Sequence, residues 1–118
     1  LIPRQAPMAK TRALKAAPSA PRLSEDQIAL ELGRLPEWSQ TTDAIQRTFA
    51  FKNFVEAMAF VNKVAALAEQ AAHHPDVLIR YNKVTLSLST HDSSGITAKD
   101  FDLAGKIDVL VPALPSPA

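Results

Sequence analysis

The chain has 118 residues, with 13 Lys+Arg against 12 Asp+Glu, no cysteine and 47% hydrophobic residues that nowhere form an apolar run of membrane-spanning length. That composition excludes a transmembrane helix, a disulfide framework, a cysteine-ligated zinc or iron–sulfur centre and a cysteine nucleophile, which leaves chemistry to His, Asp, Glu, Tyr, Ser or Lys. With no thiols the cytoplasm is the default compartment, and at this size a modest core makes burial in an oligomer interface a natural supplement to stability.

The near-neutral balance hides an asymmetry. Residues 1–22 carry Arg4, Lys10, Arg12, Lys15 and Arg22 with no acid, whereas residues 23–118 carry 8 bases and 12 acids. Pro3, Pro7, Pro18 and Pro21 lie in that head, and Pro112, Pro115 and Pro117 crowd the other end. Three segments are therefore expected: a disordered basic tail or leader and cloning remnant over 1–22, a folded domain over 23–111 and a Pro-rich tail over 112–118.

Within the domain, Ser24 followed by Gln27 is a capping-box pattern, and Ile28, Leu32 and Leu35 recur at helical spacing until Pro36, predicting a first helix over 24–35. A short strand over 38–41, a turn at Thr42-Asp43 and alternation of Ile45, Arg47, Phe49 and Phe51 with Gln46, Thr48 and Ala50 predict a hairpin. Asn53 with Glu56 opens a second, longer helix whose expected core stripe is Phe54, Met58, Val61, Ala65 and Ala68, ending by Pro75. Residues 77–81 read as a third strand, and Val84, Leu86 and Leu88 alternate with Thr85, Ser87 and Ser89 in a fourth, with Asn82-Lys83 as the expected turn. A polar loop containing Gly95 leads to Thr97, paired with Asp100 three residues on, and Phe101, Ala104, Ile107 and Val111 form a last helical stripe. The order helix, strand, strand, helix, strand, strand, helix predicts an α+β, two-layer sandwich: a four-stranded antiparallel sheet with three helices on one face. The open sheet face and the edge strands then lack cover, which favours self-association.

Candidate chemistry concentrates in one stretch. Glu69 and His73 are four apart on the second helix, His74 and Pro75 follow, and His91 closes the fourth strand. Imidazole is the side chain suited to giving and taking protons near neutral pH, and a proline lets adjacent imidazoles leave a helix end toward a cleft. Three readings fit these residues: a structural helix cap with a strand-end histidine, a metal set of Glu69, His73 and His91, or acid–base catalysis. The metal reading lacks any dense ligand spacing such as His-Glu-x-x-His.

The gapped pattern Glu69, His73-His74-Pro75, Tyr81, His91, Asp100 resembles the signature of the pterin-4a-carbinolamine dehydratases. The surrounding residues agree, among them Arg47-Thr48-Phe49-Ala50-Phe51, Val64-Ala65, Ala68-Glu69, Tyr81-Asn82-Lys83-Val84, Gly95-Ile96-Thr97 and Leu103-Ala104, so that the resemblance spans about 23–108. Two positions depart from the family pattern: Glu37 precedes Trp38 where glycine is frequent, and Val77 stands where an aromatic is frequent. Both border the expected pocket and leave the histidines untouched.

The resemblance implies dehydration of a 4a-hydroxytetrahydropterin to the quinonoid dihydropterin, in tetrahydrobiopterin regeneration, with His73, His74 and His91 as catalytic positions. It implies His73 and His91 as the acid/base pair, His74 as a substrate-orienting group, and no metal or organic cofactor. Glu69, Pro75, Tyr81, Trp38 and Asp100 are expected around the substrate, with a structural role open beside each. Asp100 is equally a cap partner of Thr97 or a group that orients a histidine, Glu69 is expected to hydrogen-bond His73 more readily than to serve only as a solvated residue, and Tyr81 suits a pocket wall, because a phenol is a weak acid at neutral pH. Trp38 suits either stacking on a pterin or anchoring the first strand in the core. Expected partners are the pterin, a homodimer or homotetramer and, functionally, an aromatic amino acid hydroxylase. No direct nucleic-acid contact is expected from an acidic domain without a basic-aromatic surface. The family's animal members also act as dimerisation cofactors of a homeodomain transcription factor, so a coactivator role stands as the alternative function.

Overall fold

The computed structural model describes residues 20–111; the expected tails up to residue 19 and from residue 112 lie outside them. The elements follow the expected order: α1 (Glu25–Arg34), β1 (Ser39–Gln40), β2 (Ile45–Ala50), α2 (Phe54–Ala71), β3 (Asp76–Arg80), β4 (Lys83–Leu88) and α3 (Ala98–Asp108), with a 3-10 turn at His91–Ser93. The sheet is antiparallel throughout in the order β1-β2-β4-β3, and the three helices cover one of its faces. No described helix is long and apolar enough to cross a membrane.

Local chemistry sets the helix starts. Ser24 Oγ accepts from the Gln27 N–H at 3.1 Å while Gln27 Oε1 accepts from the Ser24 N–H at 3.0 Å, a complete capping box. Asn53 Oδ1 accepts from the Glu56 N–H at 2.9 Å. Residues 20–22, assigned to the tail on composition, lie against the domain: Ser93 Oγ donates to the Ala20 carbonyl, and the Arg22 side chain lies over Gly95. The Leu23 N–H continues this run onto the Ile96 carbonyl at 2.9 Å.

The strands alternate as their sequences require. Ile45 and Phe49 of β2 and Val84, Leu86 and Leu88 of β4 are buried under the helices, and their neighbours face outward. Arg47 shares the inner face, where its guanidinium lies 4.2 Å from the Phe49 ring centroid and donates to Asp108 Oδ1 at 2.7 Å. Trp38 is 3% exposed, meets Phe49 edge-on and donates its Nε1–H to the same Asp108 oxygen at 2.9 Å, so it ties β1 and the end of α3 to the core.

Two local expectations are corrected. The buried stripe of α2 is Ala57, Phe60, Val64 and Ala68, not the one through Phe54, Met58, Val61 and Ala65; Phe54 is 48% exposed. Apolar residues surround this helix on several sides, so the spacing alone selects no unique face. The β3–β4 turn is Tyr81-Asn82 instead of Asn82-Lys83, because Arg80 pairs with Lys83 and Tyr81 takes the left-handed conformation, φ 54°.

Candidate functional site

The end of α2 is built to release its histidines. Ala72 adopts φ 51° and ψ 40°, its N–H meets the Glu69 carbonyl at 3.2 Å, and the His73 N–H reaches back to the Ala68 carbonyl at 3.1 Å. This Schellman closure satisfies last-turn carbonyls and swings the chain off the helix axis before His73. Alanine carries a steric cost in the left-handed region that glycine lacks. Ala72→Gly is therefore expected to raise stability by about 1 kcal/mol, read as a higher denaturant midpoint at unchanged slope.

Beyond that turn, His73 Nε2 and Asp100 Oδ1 are 2.6 Å apart; the His73 side chain is 11% exposed and Asp100 has no exposed surface. Asp100 sits in the first turn of α3, where its Oδ2 accepts from the Thr97 N–H at 2.9 Å and from Thr90 Oγ1 at 3.0 Å. Thr90 spends its one hydroxyl proton on Asp100, so at 2.7 Å it accepts from the Thr97 hydroxyl, whose oxygen in turn accepts from the Lys99 N–H at 3.2 Å. A carboxylate offers only lone pairs; His73 Nε2 therefore carries the proton of their shared bond, and Nδ1 is the nitrogen left to exchange one. Asp100 fills both roles left open by its spacing: it completes the capping box with Thr97, and it holds His73.

Glu69 bonds His74, at 2.6 Å between Oε2 and Nε2, and not His73 as its i, i+4 spacing suggested. The left-handed Ala72 ends the helix before His73, so helical neighbour rules no longer apply there. Both members of the Glu69–His74 pair are exposed, which makes it a weak contributor to stability. His91 is exposed at the start of the 3-10 turn.

These groups meet in a cleft of about 360 Å³ lined by Ala72, His73, His74, Pro75, Asp76, Thr90, His91, Asp92 and Lys99. All three histidines and Pro75 thus line one opening. Asp100 stands behind it and Glu69 beside it through His74. Trp38 is buried in the core and Tyr81, 66% exposed, sits at the turn on the far end of β3, so neither lines this cleft. Sequence reasoning missed the cleft-lining roles of Thr90, Asp92 and Lys99; the available signal was their adjacency to His91 and Asp100. Among the described residues, no group of three or more His, Asp or Glu side chains converges in a way that could hold a metal ion.

The model of the family described as pterin 4 alpha carbinolamine dehydratase matches residues 21–110. A protein from a Picosynechococcus strain, provisionally named pterin-4-alpha-carbinolamine dehydratase, is 56% identical over 91 residues, which cover 77% of this chain and 99% of its own length. One of the same provisional name from Chloroflexus aurantiacus is 55% identical over 91 residues, covering 77% of this chain and 98% of its own. Among solved structures, the transcriptional coactivator/pterin dehydratase from Brucella melitensis superposes with a TM-score of 0.74 at 34% identity, over 77% of this chain and 99% of that one. With the family match spanning all the described elements, and with relatives matched over nearly their full length, the chain belongs to the pterin-4-alpha-carbinolamine dehydratase family.

Proposed function

We propose that this protein dehydrates 4a-hydroxytetrahydropterins to quinonoid dihydropterins by histidine acid–base catalysis, and so serves tetrahydrobiopterin regeneration after an aromatic amino acid hydroxylase. The observation that carries the reading is the part-buried His73–Asp100 hydrogen bond, which occupies one nitrogen of an imidazole that lines the same cleft as His74 and His91 and leaves the other for proton exchange. Hydroxide is a poor leaving group. An imidazolium protonates the 4a oxygen, a neutral imidazole takes the proton from the adjacent ring nitrogen, that nitrogen's electron pair forms the new C=N bond, and water departs. One proton is given and one taken, and no electron is gained or lost overall, so neither a redox cofactor nor a metal is part of the scheme. His73 and His91 form the acid/base pair in this reading, His74 orients the pterin, and Asp100 is a positioning residue for His73.

The oligomeric form belongs to the same proposal. The edge strand β3 exposes Val77, at 42%, and α2 exposes Phe54 and Val55, at 48% and 74%. A homodimer or homotetramer joined through these surfaces would cover both. The exposed strip on α2 also favours the second reading, a protein-binding coactivator role such as the name of the Brucella protein pairs with dehydratase activity.

The test is spectroscopic. Freshly generated 4a-hydroxytetrahydropterin should disappear faster with the protein than in its uncatalysed background, in proportion to protein concentration. Absence of acceleration by folded protein would remove the enzymatic reading and put the coactivator role first.

A further inference from the structure

The sheet face turned away from the helices holds a second recess, of about 520 Å³, lined by Thr48, Leu78, Arg80, Asn82, Lys83 and Thr85. Strand register explains its composition. Thr48, Thr85 and Leu78 form one row across β2, β4 and β3, and Ala50, Lys83 and Arg80 form the next. Arg80 and Lys83 are thus direct cross-strand neighbours, with Cβ atoms about 5 Å apart, and both are exposed. Like charges so placed destabilise a strand pair. No carboxylate lines the recess, and among the described residues neither cation forms a salt bridge. Asp76, on the same face of β3, stands four residues or about 13 Å along the strand.

The adjoining row supplies a further donor. Thr48 Oγ1 and Thr85 Oγ1 are 2.7 Å apart, so one hydroxyl donates to the other, and the acceptor keeps its own hydrogen for a third group. Two cations held together against their repulsion, with a hydroxyl hydrogen beside them, match a compact dianion: a phosphoryl group compensates both charges, whereas a single carboxylate leaves one uncompensated. A phosphate polymer fits poorly, because the recess offers only two cations and residues 23–118 carry 8 bases against 12 acids.

We infer that this recess binds the phosphoryl group of a small phosphate monoester, with Arg80 and Lys83 flanking the oxyanion and the Thr48–Thr85 pair donating to it. The site is separate from the histidine cleft, at the opposite end of β3 and β4.

The test is an amide NMR titration of the full chain with inorganic phosphate, against chloride at matched ionic strength. Saturable shifts are expected at Thr48, Arg80, Lys83 and Thr85, with His73, His74 and His91 unmoved. Arg80→Gln with Lys83→Gln should weaken phosphate binding at least about tenfold while dehydration of 4a-hydroxytetrahydropterin continues at the parent rate. Should that variant not fold, the shift map of the parent protein decides alone. Shifts that map to the histidine cleft, shifts that chloride reproduces, equal phosphate affinity in the variant, or a short oligothymidylate that displaces phosphate from these residues would each overturn the inference.

Discussion

His73→Ala is expected to lower the protein-dependent dehydration rate by about 10²–10⁴-fold, the range lost with a positioned general acid or base. The same change strands Asp100 Oδ1 in a site with no exposed surface, so stability should fall by about 1–3 kcal/mol as well. His73→Gln separates the two effects. Its amide can donate to Asp100 in place of Nε2 and restore most of the stability, yet it supplies no exchangeable proton at neutral pH, so the rate should stay as low as in the alanine variant. His91→Ala gives the complementary result, a comparable loss of rate with a stability change within about 0.5 kcal/mol, because that residue is exposed. Rate assays paired with denaturant melts read both quantities. A His73→Gln protein as active as the parent would end the acid–base assignment of this residue.

Asp100 carries the second large effect. Asp100→Ala leaves three donors without an acceptor in a buried site: the Thr97 N–H, the Thr90 hydroxyl and His73 Nε2–H. A loss of about 3–5 kcal/mol is expected, a large share of the stability of a small domain. Asp100→Asn behaves differently. Its carbonyl oxygen can keep the Thr97 and Thr90 bonds while its NH₂ faces His73, whose Nε2 must then accept and whose proton moves to Nδ1. Stability should fall by only about 1 kcal/mol, whereas the rate falls about 10²–10⁴-fold, because Nδ1 then has no lone pair with which to take a proton and an imidazolium at His73 no longer faces a carboxylate. The ¹⁵N resonances of the His73 ring report the tautomer directly. An unchanged tautomer in Asp100→Asn would show that Asp100 acts on the fold alone.

The fold was legible wherever a local rule governs. Ser24 with Gln27 and Thr97 with Asp100 announce two helix starts, and both capping boxes form. The alternation in 84–88 gives the buried face of β4 outright. Where two local solutions are nearly equal, as on the apolar circumference of α2 or at the Tyr81-Asn82 turn, spacing selects neither, and the tertiary packing decides. At the site, the sequence identifies the three histidines through residue type and clustering, but not their partners. His73 is joined to Asp100 across 27 positions and Trp38 to Asp108 across 70, and no periodicity reports contacts of that separation. The local guess, Glu69 to His73, fails because one alanine in a left-handed conformation ends the helical geometry that the guess assumes.

The double duty of Asp100 also has a meaning in the order of synthesis. When a ribosome has produced residues 73, 74 and 91, all three imidazoles exist, but the carboxylate that locks the first of them has not yet been added. It arrives in the opening turn of the last helix, and it can hold His73 only once that turn has wound and docked. A nascent chain therefore lacks the His73–Asp100 bond until α3 has been made, and the arrangement proposed to act on pterins is complete only with that helix in place.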